Sequence, residues 1–164
     1  MIVCPNTSPL IVLARVARLD LLGDPSHITV TRAVLAEIHD KRDDVSARVD
    51  GLVSRGVSIV EPPVSDRVDL LGALGPGERS VLSLALGSQS PILCLLDDQA
   101  ARSEARRLRL TFTGTLGLVL RARLQGKIER AGLLLRDAVE AGLYLDDGVL
   151  RRALAEVGEP WPPA

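Results

Sequence analysis

Ile92-Leu93-Cys94-Leu95-Leu96 is an unbroken apolar run that ends on two carboxylates, Asp97 and Asp98. A segment with helical spacing follows at once, from Gln99 to Arg109. A run this short and this apolar, entered through Ser90-Pro91, predicts a strand buried on both faces. Strands of that kind belong to parallel sheets covered by helices. Open sheets of this class place their chemistry outside the carboxyl ends of their strands. Two readings of the acidic pair stand side by side. One Asp caps the next helix, a common use of the residue; or both belong to a cation site, provided that other acids converge on them.

The rest of the chain fits around that strand. Met1 to Cys4 reads as a first strand, ending at Pro5-Asn6-Thr7-Ser8-Pro9, where three capping residues precede a helix through Leu10, Ile11 and Leu13. A short helix over Leu19 to Leu22, a strand over His27 to Val30 and a helix capped by Thr31 come next. Asp43 or Asp44 opens a further helix, and Val57 to Val60 is a strand. Ser65 to Leu74 is expected to be a polar helix, and Gly75-Pro76-Gly77-Glu78 opens an apolar one. After the central strand, Leu110 to Thr113 is the last strand, and Leu116 to Gln125, Ile128 to Ala141 and a segment from Asp146 or Asp147 are helices. Alternating strands and helices predict an α/β fold with a parallel sheet. The expected organisation is a single domain over 1–158 and a C-terminal tail over 159–164.

Composition excludes several function classes. With Trp161, Tyr144 and Phe112 as its whole aromatic complement, the chain of 164 residues lacks the stacking faces that single-stranded nucleic acid platforms need. Net charge is −1, so any polyanion site must be local. Cys4 and Cys94 both sit in apolar strand-like runs without metal-ligand spacing, which predicts reduced core thiols and a cytoplasmic protein. No signal peptide or membrane span is evident. His39-Asp40 reads as a solvated helix end, and Ser8 lacks a His partner for nucleophilic catalysis. Arg102 and Arg106 share a helix face, and Arg15 and Arg18 are candidates to flank the crevice; a solvated face and an RNA backbone rail are the alternatives.

Several stretches together resemble PIN-domain proteins. Cys4-Pro5-Asn6-Thr7-Ser8-Pro9-Leu10-Ile11 is similar to their opening, Gly77-Glu78 with Val81, Leu82 and Ala85 to their third acidic motif, and Leu95-Leu96-Asp97-Asp98 with Ala101-Arg102 to their fourth. Thr113-Gly114-Thr115-Leu116-Gly117 and the ending Asp146-Asp147-Gly148-Val149-Leu150, with Ala153-Leu154 and Gly158-Glu159, resemble a prokaryotic VapC-like subgroup. The resemblance covers about the whole chain. It implies a three-layer α/β/α sandwich with a central parallel sheet and a metal-dependent endoribonuclease, the toxin of a toxin–antitoxin pair. It further implies Mg²⁺ or Mn²⁺ as cofactor, and as partners an RNA substrate, a small antitoxin protein and a second copy in a homodimer.

Carried over position by position, Asn6 takes the first acidic slot, Glu37 the second, Glu78 the third and Asp98 the fourth, with Asp97 beside it. Thr7 and Ser8 match the hydroxyls after the first acid. Thr7, Ser8, Arg102, Thr113 and Thr115 are the implied RNA contacts. The departure from the pattern is Asn6, whose amide can ligate a cation but brings no charge. A catalytically decayed PIN-like module that binds RNA or protein is therefore the alternative. A small-molecule-binding α/β domain using the same crevice is a more distant one.

Overall fold

The computed structural model describes residues 1–41 and 43–164. Among the described residues five parallel strands carry the chain: β1 (Ile2–Pro5), β2 (Thr29–Thr31), β3 (Ser58–Val60), β4 (Ile92–Leu95) and β5 (Phe112–Thr113). β4 lies between β1 and β5, with Cys4 opposite Cys94 and Leu95 opposite Thr113. β2 pairs with β3, and a parallel bridge between Val3 and Ile28 joins this pair to β1. The spatial order is therefore β3-β2-β1-β4-β5. The chain winds outward from β1 in one direction and from β4 in the other, so the strand order reverses between them. A crevice opens at the carboxyl ends of β1 and β4, where this fold class places its ligands.

Helices α1 (Thr7–Arg15), α2 (Arg32–Asp40), α3 (Asp44–Val53), α4 (Pro76–Gly87), α5 (Gln99–Arg107), α6 (Thr115–Leu124), α7 (Ala131–Glu140) and α8 (Asp147–Ala155) flank the sheet in a three-layer α/β/α sandwich. No helix among the described residues is long and apolar enough to cross a membrane. Local chemistry sets the helix starts. Thr31, Asp43, Asp98 and Asp146 each accept a backbone N–H from the first turn that follows them. The core is Leu, Val, Ile and Ala, with Leu10, Leu13, Leu82, Leu95, Leu96 and Leu135 fully buried. Cys4 and Cys94 are free and buried in it, and burial pushes both thiols up, Cys94 to about 12.

One expectation changes. Ser65 to Leu74 is a looped segment and not a helix. Its backbone donors are claimed by side chains instead: Asp69 takes a positive φ of 61° and accepts from Ala73 N and Leu74 N, while Asp69 N donates to Glu104 at 2.7 Å. Leu19–Leu22 is the expected short helix, of 3₁₀ type. Near the C-terminus, Leu135 and Leu143 are buried in the core and Leu133, Leu134 and Leu145 are half-buried.

The segment 159–164 is tied down at its root. Glu159 accepts Ala131 N at 2.9 Å and Gly132 N at 2.8 Å, capping α7 from 28 and 27 residues away, and pairs with Arg123 at 2.9 Å. Burial alone would raise the pKa of Glu159, but the Gly132, Ala131 and Arg123 donors outweigh it and hold the group below the usual value. A carboxylate depressed in the folded state stabilises above its unfolded pKa, and that stabilisation is lost as pH falls through the folded pKa. Glu159→Gln should therefore cost about 1–2 kcal/mol at neutral pH, with the gap to wild type closing on acidification below the ordinary glutamate range. Urea unfolding at several pH values measures it; a gap independent of pH would contradict the capping role.

Candidate active site

The crevice gathers polar side chains from three elements. Asn6 is the residue before α1, in an extended conformation suited to capping that helix, yet its side chain makes no cap bond. Its Nδ2 donates to Glu78 Oε1 at 3.0 Å, reaching the first turn of α4. Glu78 Oε2 accepts Gly75 N at 2.7 Å, so Glu78 closes its own helix start as well. Glu37, on α2, receives the Thr7 hydroxyl on Oε2 and Gly77 N on Oε1 at 2.8 Å. All four carboxylate oxygens thus accept one protein donor each. A buried chain of hydroxyls sets the position of the α4 start: Thr31 Oγ1 lies 2.6 Å from Ser80 Oγ, which donates to the Gly77 carbonyl at 2.8 Å.

The remaining oxygen of this group is the unusual one. Asn6 is 1% exposed, and its Oδ1 has no hydrogen-bond partner among the described residues. Turning the amide over would bring this oxygen against the Glu78 carboxylate, so the observed orientation is the favourable one. Gly77 is what lets the chains approach. A Cβ there would stand 2.5 Å from Glu37 Oε2, 2.9 Å from Glu37 Oε1 and 3.0 Å from Asn6 Oδ1. Beside these groups opens a cavity of about 320 Å³, lined by Thr7, Ser8, Arg15, Glu37, Lys41 and Glu78 and by Ala141 and Gly142 just past α7.

Asp97 and Asp98 do not join that group. Asp98 is exposed and caps α5 through Ala101 N at 2.9 Å, the simpler of the two readings of the sequence. Asp97 accepts Thr115 N at 2.7 Å and Thr115 Oγ1 at 2.6 Å, holding the start of α6 against the end of β4. Burial raises the Asp97 pKa, against the opposing pull of the Thr115 donors and Arg102. Among the described residues no three of the His, Cys, Asp and Glu side chains form a metal-binding cluster, so the expected convergence of Glu37, Glu78 and Asp98 on one point is absent.

The implied RNA contacts divide in the same way. Thr7 and Ser8 line the cavity, whereas Thr115 is fully buried with its hydroxyl on Asp97. Thr113 is half-buried beside Gly114, at the edge strand. Arg102 lies over Phe112 at 5.8 Å from the ring centre, with Arg106 at 5.6 Å. Arg18 pairs with Asp20 at 2.9 Å, while Arg15 enters the cavity wall. Sequence reasoning missed Gly75 and Gly77, whose backbone N–H groups fix the two glutamates. The Gly-Pro-Gly step just before Glu78 was the available signal.

Comparison with known proteins agrees with this architecture. The family model described as DUF3368, PIN domain, matches residues 1–159. A search of curated proteins returned no match. Among solved structures, the chain is similar to a PilT N-terminus domain protein, SSO1118, from the hyperthermophilic archaeon Sulfolobus solfataricus P2. The TM-score is 0.52 at 16% identity, covering 72% of this chain and 90% of that one, a likeness of fold. PIN domains are in general nucleases and typically bind divalent metals such as Mg²⁺. With a sheet order that reverses at β1 and β4, a polar crevice at that reversal and a family match over nearly its whole length, the chain belongs to the PIN-domain family.

Proposed function

We propose that the protein is a divalent-metal-dependent endoribonuclease of PIN type, acting in the cytoplasm as the toxin of a toxin–antitoxin pair and restrained by a small antitoxin protein. A homodimer is part of this reading. The observation that carries the nuclease is a set of oxygens in the crevice: two carboxylates and an orphaned, buried amide oxygen at the point where the strand order reverses. Native proteins rarely leave a buried acceptor unmet without cause. The donor set suits a hard cation, which takes one or two carboxylates and completes its shell with water and substrate phosphate. Glu37 and Glu78 would hold it, with Asn6 Oδ1 as the neutral third oxygen.

A divalent ion supplies a more acidic water and offsets charge on the leaving oxygen of a phosphodiester. The chain's own part is positional. Thr7 and Gly77 N fix the plane of the Glu37 carboxylate, and Gly75 N and Asn6 fix that of Glu78, so both arrive preoriented. Ser8 lines the cavity with a hydroxyl able to donate to a phosphate oxygen, whereas the Thr7 proton is already given to Glu37.

A second reading, a decayed module that binds without cleaving, is favoured by one feature: the Asn6 amide already occupies Glu78 Oε1 as a cation would. The two part on metal. Mn²⁺ should raise the melting temperature, as a ligand selective for the folded state must. A fluorescent RNA should be cleaved in Mn²⁺ and not in EDTA, and Glu78→Gln should lower that rate by at least about a hundredfold. No Mn²⁺-dependent shift and no cleavage would leave the decayed module standing.

A further inference from the structure

We propose, resting on the nuclease reading, that Arg15 and Lys41 form a phosphate-binding wall of the cavity that Glu37 and Glu78 also line. There they grip an RNA backbone phosphate next to the one that is cut. The cavity lining carries charges of both signs. Glu37 and Glu78 supply the anionic groups; Arg15 and Lys41, at the ends of α1 and α2, supply the cationic ones. Both cations stand on the solvent side and the acids are half-buried, so the positive pair is the first charge an entering chain meets.

Arg15 is anchored as well as exposed. Its Nη1 donates to the Ala141 carbonyl at 2.9 Å, and Nη2 lies 3.6 Å from Asp43, beyond hydrogen-bond length. The guanidinium is therefore held in place at one nitrogen and keeps donor capacity at another, the preorganised fork that suits phosphate. Without cations here, an RNA strand approaching two carboxylates would meet net repulsion. No aromatic residue lines the wall among the described residues, so it grips the backbone and does not read bases.

The test is fluorescence anisotropy with a short labelled single-stranded RNA in EDTA, where nothing is cleaved, over a range of salt. Arg15→Gln and Lys41→Gln should each weaken binding by about fivefold and flatten the slope of log K against log salt by about 0.7, one phosphate's share for a single strand. Arg15→Lys should keep the slope, because it keeps the charge. Glu37→Gln should tighten binding in EDTA by removing a repulsive charge. Arg136→Gln, at an exposed arginine outside the cavity, should change nothing. Because Arg15 also braces the end of α7, thermal melts accompany each variant, and Lys41→Gln alone decides if Arg15→Gln does not fold. Unchanged slopes in Arg15→Gln and Lys41→Gln, or a wild type that binds no RNA in EDTA, would overturn the wall. The cleavage assay judges the nuclease reading separately.

Discussion

Gly77→Ala is expected to eliminate cleavage and to lower stability by about 1–3 kcal/mol, although glycine to alanine in a helix ordinarily gains up to about 1 kcal/mol. The sign turns on three oxygens. The new methyl would stand 2.5 Å from Glu37 Oε2, closer than such atoms approach. The Glu37 carboxylate must swing away, and it then leaves both the Thr7 hydroxyl and Gly77 N. Two charge-assisted hydrogen bonds at about 1.5–3 kcal/mol each outweigh the helix gain, even after partial repair by water. Gly51, in α3, has open space where its Cβ would be, so Gly51→Ala should be neutral or stabilising and serves as the control. Urea midpoints and the RNA assay read both variants. A Gly77→Ala protein of wild-type activity would mean that Glu37 has no part in cleavage.

Asn6→Asp is expected to exchange stability without metal for affinity with it. Glu78 Oε1 would lose its donor and face a third carboxylate in a site where residue 6 is 1% exposed. Close like charges raise one another's pKa above the unfolded value. For an acid this sign means instability at neutral pH that is relieved as pH falls and one carboxyl takes up a proton. The apo variant should lose about 2–3 kcal/mol at pH 7 and recover on mild acidification. A cation relieves the same repulsion, so Mn²⁺ affinity should rise about tenfold, or roughly 1.4 kcal/mol. Calorimetric titration and melts in EDTA and Mn²⁺ test both halves. Equal Mn²⁺ affinity in the two proteins would place residue 6 outside any cation site.

Much of the fold could be read from residues because its cues are local. The apolar run of β4, the Pro-Asn-Thr-Ser-Pro opening and the capping aspartates each act within a few positions of themselves. The failures share a physical cause, which is that the deciding partner is distant and often backbone. Ser65 to Leu74 has helical composition, but Asp69 takes its local N–H groups and Glu104 reaches in from 35 residues away. The capping role of Glu159 depends on the α7 start and has no local signature. In the site, Asn6, Glu37 and Glu78 could be nominated from sequence order. That Asp98 caps a helix while Asp97 serves Thr115 depends on which way two adjacent side chains leave the end of a strand.

The contacts that assemble the crevice close long stretches of chain: 30 residues between Thr7 and Glu37, 40 between Glu37 and Gly77, and 72 between Asn6 and Glu78. Such closures come late in folding, because their entropy must be met before the contact returns anything. A nascent chain that has exposed only α1 and α2 holds Asn6, Thr7 and Glu37 but neither Gly77 nor Glu78. Its acids cannot be aligned until α4 has emerged and docked. For a protein read as a hazard to its own cell's RNA, the order of synthesis is then itself a safeguard, with competence arriving only once α4, near the middle of the chain, is in place.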